Sequence, residues 1–78
     1  MQFDYLTLGE TIRDIRKERG LSQEVLSGLA GIARTHLTMI ENGTMKAKID
    51  TMCKIAQALD LRPSELLELV EQKQNESK

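Results

Sequence analysis

The sequence has little of what builds disulfide scaffolds, aromatic cores or β-sheets. Its 78 residues include one Cys, one Pro, one Phe, one Tyr and no Trp. The single cysteine, Cys53, cannot form an internal disulfide and fits a reducing cytoplasm, where we expect the protein. The core must be aliphatic, and because runs of β-branched residues are also absent, the composition favours an all-helical domain.

Long apolar stretches and reactive clusters are missing as well. No apolar run approaches the roughly 18 residues of a membrane span, and the first ten residues lack the features of a signal peptide. There is one His, no glycine-rich phosphate loop and no metal-ligand spacing. The sequence therefore predicts no enzyme, no metal or cofactor, no membrane association and no small-molecule ligand.

The charges are unevenly distributed, although the net charge of −1 argues against a generic nucleic-acid-binding surface. Eight basic and five acidic residues lie between Arg13 and Lys54, a net of +3, whereas the segments on either side each carry a net −2. The central excess is compatible with a local DNA-binding surface. The acidic flanks are most simply explained as solvated surface.

Five segments combine helical periodicity with terminal signals, in one domain whose core runs from about residue 7 to 70. Thr7 and Glu10 form a capping box, Ser22 is a good N-cap, and Pro63 suits a first helical position. The predicted helices are 7–19, 22–30, 33–42, a fourth that ends at 59 and begins after a cap at Asp50 or Lys48, and a fifth from 63. Residues 1–6 are a lead that packs on the core, joins a dimer contact or frays, and residues 71–78 are a polar tail expected to be disordered.

The apolar positions of these segments predict which helix faces point inward. Cys53, with no His or second Cys nearby, is expected to be a small hydrophobe at the edge of that core. The expected core positions are Leu8, Ile12, Ile15, Val25, Leu26, Leu29, Ala30, Ala33, Leu37, Ile40, Met52, Ile55, Ala56 and Leu59.

The segment 33–42 has an unusual outer face. An ordinary solvated face would be richer in Glu and Lys, but this one presents Arg34, Thr35, Thr38, Met39 and Asn42. Arginine suits the O6 and N7 atoms of guanine, and threonine and methionine suit the thymine methyl group. We therefore predict that Arg34, Thr35, Thr38 and Met39 contact DNA bases.

The stretch LSQEVLSGLAGIARTHLTMIENG resembles the XRE/Cro-like helix-turn-helix family, which includes phage repressors. The resemblance rests on Gln23 after a small capping residue, the Ala-Gly-Ile turn and the Glu-Asn-Gly ending, and it covers roughly Leu8 to Leu67. It implies a five-helix, lambda-repressor-like fold that places the second helix of the pair in the major groove of double-stranded DNA. Two residues depart from the pattern: Ala33 replaces a capping Ser or Thr, and Gly28 lies inside a helix.

Further residues are predicted to contact phosphates. Ser22 and Gln23 stand at a helix N-terminus, which is an anion site, and in the family the loop after the second helix approaches the DNA backbone. The alternatives are that the loop lysines are simply solvated and that His36 packs against the helix 22–30. The resemblance also implies an ion pair between Arg16 and Glu41. The alternative is that the two residues are separate surface charges. The predicted phosphate contacts are Ser22, Gln23, His36, Asn42, Lys46 and Lys48.

The fifth helix has more apolar surface than one small core requires. Leu66, Leu67, Leu69 and Val70 spread over more than half of its circumference. We predict a homodimer interface on this helix, because two symmetric copies double the DNA site that one copy reads. Alternatively, Leu69 and Val70 fray with the tail or bind a different protein. The predicted interface residues are Leu61, Leu66, Leu69 and Val70.

The predicted function is a sequence-specific transcription regulator that binds a palindromic operator as a homodimer. The chain length and the Arg34-Thr35-His36 start of the second helix resemble the restriction-modification controller proteins. The alternative is a protein-interaction module, such as the antitoxin of a toxin–antitoxin pair. Neighbouring genes distinguish the two, because a restriction endonuclease or methyltransferase gene favours the first and a toxin gene favours the second.

Overall fold

The computed structural model describes residues 2–76, which form five α-helices and, within that range, no β-strand. The predicted all-α, five-helix fold is confirmed. No helix in the described range is long and apolar enough to cross a membrane. The helices are α1 (Tyr5–Glu18), α2 (Gln23–Ala30), α3 (Arg34–Glu41), α4 (Ile49–Ala58) and α5 (Pro63–Glu76).

Local signals place α2 as predicted. The Ser22 hydroxyl accepts the Val25 N–H at 3.1 Å, so Ser22 is the N-cap. Gly31 ends the helix with φ of 72°, a left-handed conformation that glycine adopts without steric cost. Asp60 adopts the same conformation after α4, with φ of 61°, at a position where glycine is the usual residue.

The start of α1 differs from the prediction. Asp4 is the N-cap: its carboxylate accepts the Leu6 N–H at 3.0 Å and the Thr7 hydroxyl at 2.8 Å. The Thr7 hydrogen bond is the main cause that lowers the pKa of this carboxyl. The Thr7–Glu10 capping box is therefore wrong. The earlier start adds a turn that packs Tyr5 against the core.

The N-cap of α4 is Lys48 rather than Asp50, and it makes no side-chain capping bond. Asp50 lies instead in the first turn, where the positive end of the helix dipole stabilises its negative charge. The predicted cap at Asp50 is wrong, because the helix begins two residues earlier. The alternative cap position, Lys48, is the one that the resemblance implied.

The predicted disorder of the polar tail is also wrong for residues 71–76, which continue α5. Long-range contacts hold this last turn in place. Lys73 Nζ donates to Asp14 on α1 at 2.9 Å. Gln74 donates to the Gln2 carbonyl at 2.9 Å and accepts the Asp4 N–H at 3.2 Å. Residues 77 and 78 lie outside the described range.

The core is aliphatic and follows most of the predicted faces. Three predicted core residues, Val25, Leu29 and Ala33, are instead exposed. The short helix α2 packs on α3 and α4 along a narrow face that Leu26 and Ala30 fill. Ala33 is the N-cap of α3, has extended backbone angles and makes no side-chain capping bond. It therefore lies outside the helix and is not part of its buried face.

Close packing of α1 against α3 depends on Gly9. A Cβ atom at this position would collide with the backbone carbonyl oxygens of Ile40 and Glu41. Glycine is therefore required by the approach of two backbones, and not by its own dihedral angles. This contact fixes the end of α3 against α1.

Candidate nucleic-acid interface

Helix α3 has one side anchored in the core and the other exposed. Leu37 and Ile40 are fully buried. Arg34, Thr35 and Met39, three of the predicted base-contacting residues, are exposed. The α2–turn–α3 unit therefore presents an arginine, a hydroxyl and a thioether outward on a short helix.

A buried ion pair fixes the end of α3. Arg16 Nε lies 2.8 Å from Glu41 Oε2, and Arg16 Nη2 lies 3.0 Å from Glu41 Oε1, so the contact is bidentate. The remaining Arg16 nitrogen donates to the Leu21 carbonyl at 2.9 Å. One guanidinium thus joins α1, α3 and the turn before α2, and it donates to both oxygens of the buried carboxylate.

Gln23 extends this network toward the outer face. Its Nε2 donates to Glu41 Oε1 at 3.0 Å, and its Oε1 accepts the Thr38 hydroxyl at 3.0 Å. Thr38 is half-buried, and its hydroxyl is also 3.0 Å from the Arg34 carbonyl. The Gln23 side chain, predicted to contact a phosphate, thus has both polar ends bonded within the protein. The sequence gives no sign of this link, because its members lie 15 and 18 residues apart.

The N-terminus of α2 remains open to solvent. Ser22 is exposed, and because its oxygen accepts the Val25 N–H, its own O–H is left to donate outward. The first N–H groups of a helix have no carbonyl partner within it. Together with the positive end of the helix dipole, these donors form a site that suits a phosphate.

The remaining predicted phosphate contacts lie on or beyond α3. Asn42, Lys46 and Lys48 are exposed, and His36 is half-buried. The Lys46 ammonium lies 5.7 Å from the centre of the Tyr5 ring, a cation–π contact that leaves its charge at the surface. Among the residues that the structure describes, no cluster of His, Cys, Asp and Glu could hold a metal ion.

The profile of the helix-turn-helix family matches residues 12–66, which include α2, α3 and the buried network. The chain belongs to this helix-turn-helix family. The control protein C.BamHI of Bacillus amyloliquefaciens is 36% identical to it over 64 residues, which are 81% of this chain and 79% of that protein. Membership confirms the predicted XRE/Cro-like resemblance.

Two further relatives support the same conclusion. The immunity repressor of Bacillus phage phi105 is 34% identical over 62 residues, 80% of this chain and 43% of the repressor. The crystal structure of the restriction-modification controller protein C.AhdI from Aeromonas hydrophila matches with a TM-score of 0.78 at 36% identity, over 81% of this chain and 96% of that one. This helix-turn-helix protein is a DNA-binding transcription regulator and not an enzyme.

The predicted dimer residues of this helix-turn-helix protein require a correction. Leu66 and Val70 are fully buried in the core of the single chain, so they have no surface left for a second copy. Leu61 is half-buried and packs against the same core. The helical spacing showed that α5 carries surplus apolar residues, but it could not tell which of them face the chain's own core. Only Leu69, of the four predicted interface residues, is exposed.

An apolar groove that the sequence did not reveal lies between the N-terminal segment, α4 and α5. Ile49 and Leu67 are the most exposed of its apolar side chains, at 75% and 42%. Leu69, which is 37% exposed, lies in a different groove beside polar side chains of α1 and α5. The residues that line the first groove, named the α4–α5 groove, are Phe3, Tyr5, Ile49, Met52, Cys53, Pro63, Leu66 and Leu67.

Proposed function

We propose that this protein is a sequence-specific regulator that binds a palindromic operator as a homodimer, with α3 in the major groove. The observation that carries the proposal is the two-sided construction of α3. Its inner face is fixed by core residues and by the bidentate pair between Arg16 and Glu41. Its outer face exposes Arg34, Thr35 and Met39, side chains that suit base edges.

Arg34 is the principal base-reading residue in this proposal. It is the first residue of α3 and is exposed, and recognition helices place their first residues at the bases. A bidentate arginine–guanine contact discriminates against the wrong base by about 1–3 kcal/mol. Thr35, Thr38 and Met39 complete the base-contacting surface.

Phosphate contacts orient α3 in the groove without reading sequence. The open N-terminus of α2, with the free O–H of Ser22, binds one phosphate. Lys46 and Lys48, in the loop between α3 and α4, lie at the surface and neutralise others. His36 and Asn42 flank the helix and add contacts to the same backbone.

The regulated genes belong, in this proposal, to a restriction-modification system. The support is similarity to proteins named as controllers: C.BamHI and C.AhdI are each 36% identical to this chain, and each is covered over more than two thirds of its length. A direct test is the gene neighbourhood, together with binding of the purified protein to the promoter of an adjacent endonuclease or methyltransferase gene.

The two copies associate, we propose, through the α4–α5 groove. Leu67 and Leu69 lie about 160° apart around α5, so one two-fold contact cannot cover both. Leu67 is continuous with the apolar side chains of the groove, including Ile49, whereas Leu69 lies in a groove where Ile15 is the one other apolar side chain among the described residues. The contact therefore forms on the side of Leu67, and Ile49 gains the most from burial because it is the more exposed.

The base-reading surface is tested by selecting bound DNA sequences from a random pool. The parent should yield a palindrome, and Arg34→Ala should lose the preference at one position in each half-site. Lys48→Ala is the matched control, since removal of a phosphate contact weakens binding to all sequences and lowers the salt dependence. Selection of no preferred sequence by the parent would refute the proposed function.

The dimer contact is tested by sedimentation of the protein at micromolar concentration. Ile49→Glu and Leu67→Glu should each shift the protein toward the monomer of 8.8 kDa, because each buries a charge in the contact. Leu69→Glu, which adds the same charge on the opposite side of α5, should not. The reverse result would place the interface at Leu69, and a parent that stays monomeric on DNA would exclude the dimer.

A further inference from the structure

We propose that Thr38 reads DNA only as a hydrogen-bond acceptor, because the network behind it directs its hydroxyl proton inward. Its partner in the major groove is then the exocyclic amino group of adenine or cytosine. This inference rests on the proposed function, since it requires α3 to lie in the groove. It also makes Gln23 a positioning residue for base reading instead of a phosphate ligand.

The orientation of the Gln23 amide follows from the chemistry of Glu41. The carboxylate of Glu41, which is paired with Arg16, can only accept hydrogen bonds. The Gln23 atom that lies 3.0 Å from Glu41 Oε1 must therefore be the NH2 group. The Gln23 carbonyl oxygen consequently faces the other way, toward Thr38.

The hydroxyl of Thr38 has one proton and two inward neighbours, both of which are acceptors. The Gln23 carbonyl oxygen and the Arg34 backbone carbonyl each lie 3.0 Å from Thr38 Oγ1. Neither neighbour can donate, so the proton of Thr38 is used on one of them. The lone pairs that remain on Oγ1 are what this half-buried side chain can offer to DNA.

Acceptor-only character divides the bases into two groups. In the major groove, adenine N6 and cytosine N4 are donors, whereas guanine O6 and N7 and thymine O4 are acceptors. An acceptor held at a fixed place binds the amino groups and is repelled by the carbonyl oxygens. This differs from the contact with a thymine methyl group that the residue type alone suggested for Thr38.

The experiment uses the operator obtained by selection, and begins with the position whose preference Thr38→Val changes. The amino group at that base pair is then deleted chemically, by replacing adenine with purine or cytosine with 2-pyrimidinone. Parent binding should weaken by about fivefold, the equivalent of one neutral hydrogen bond. Thr38→Val should show no such loss, whereas Thr38→Ser, which keeps the hydroxyl, should.

A second arm removes an acceptor of the DNA instead, through 7-deazapurine at the same base pair. A loss of parent affinity that Thr38→Val abolishes would show that Thr38 donates, and would overturn the inference. So would a Thr38→Val variant whose base preferences equal those of the parent. Because both results presuppose a selected operator, they leave the proposed function standing, whereas failure to select any operator refutes that function first.

Gln23→Met tests the positioning role, because methionine has a similar shape but cannot bond to Glu41 or Thr38. The loss of affinity caused by deleting the amino group should shrink, because the Arg34 carbonyl alone then holds the Thr38 hydroxyl and orients it less firmly. Affinity for DNA that lacks the operator should stay unchanged, because a positioning residue makes no phosphate contact of its own. If Gln23→Met instead lowers affinity equally for every sequence, and the loss caused by deleting the amino group keeps its full size, Gln23 is a phosphate contact after all.

Discussion

Two ion pairs of almost the same length hold two halves of this molecule in different ways. Arg16 and Glu41 join α1 to α3 at 2.8 Å, with side chains 10% and 1% exposed. Lys73 and Asp14 join α5 to α1 at 2.9 Å, with side chains 38% and 50% exposed. Because solvent competes for the second pair and not for the first, their contributions to stability differ although their shortest distances are almost equal.

The half that carries the candidate DNA-binding surface is held by the ion pair that is buried from solvent. There, the buried carboxylate of Glu41 is bonded by Arg16 and Gln23, and two backbones touch at Gly9. The other half combines exposed polar links with an apolar groove that no element among residues 2–76 covers. The first half holds α3 in one orientation, and the second carries the groove through which we propose that two copies associate.

The largest effect is expected when the buried pair is broken. Arg16→Met should lower the free energy of unfolding by about 3–5 kcal/mol, because it leaves the Glu41 carboxylate buried without its counter-charge. Chemical denaturation measures this change. Adding Glu41→Gln to the same variant should restore part of the loss, since the unpaired charge is then removed. A single variant within about 1 kcal/mol of the parent would show that the pair behaves as a surface pair.

The next effect concerns the contact between α1 and α3. Gly9→Ala should destabilise the protein by about 3 kcal/mol, the upper end of the usual cost of overpacking, because the added methyl meets backbone atoms that cannot rotate away. Gly28→Ala is the matched control. It adds the same methyl to an open helical position of α2 and should stabilise by up to about 1 kcal/mol. Equal thermal shifts for both would contradict the close contact at Gly9.

A smaller effect is expected at the exposed pair. Lys73→Met should cost about 0–1 kcal/mol near neutral pH. The hydrogen bond from Lys73 to Asp14 raises the pKa of the lysine above its usual 10.5, so its contribution is complete below that value and is lost as the pH rises through the folded-state pKa. Denaturation of parent and variant should therefore converge in strong alkali. A difference that grows with pH would contradict this sign.

The smallest effect concerns the N-cap of α1. Asp4→Asn keeps a capping oxygen but removes the charge. The Thr7 hydroxyl bond lowers the pKa of Asp4 below its usual 3.8, so the charge stabilises the fold above that value and stops doing so as the pH falls through the folded-state pKa. The parent should be the more stable protein at neutral pH, and the two should coincide in acid. Thermal melts across this pH range measure the difference.

The sequence predicted the elements whose signals are local. Ser22, Gly31 and Pro63 mark helix ends by their own conformational preferences, and the structure places helix ends there. Asp4 and Thr7 are both capable caps, so composition could not decide between them. The longer helix prevails because the extra turn packs Tyr5 on the core.

Contacts between distant residues could not be predicted in the same way. Nothing near Gly9 in the sequence shows that α3 will touch it, and nothing near Gln23 shows that Glu41 and Thr38 will face its two polar ends. Leu66 and Leu67 are adjacent and chemically identical, yet one is fully buried and the other exposed. Helical spacing gives the angle between two side chains but not the direction of the core.

The hydrogen bonds of Gln74 have a practical consequence for engineering. They hold the backbone of Gln2 and Asp4 against the last turns of α5, so the beginning and the end of the described chain lie side by side. A short peptide that joined residue 76 to residue 2 would close the described part of the chain into a ring and leave the contacts between its helices in place. Such a ring, reopened in an exposed turn, would give a circularly permuted regulator in which all five helices keep their neighbours.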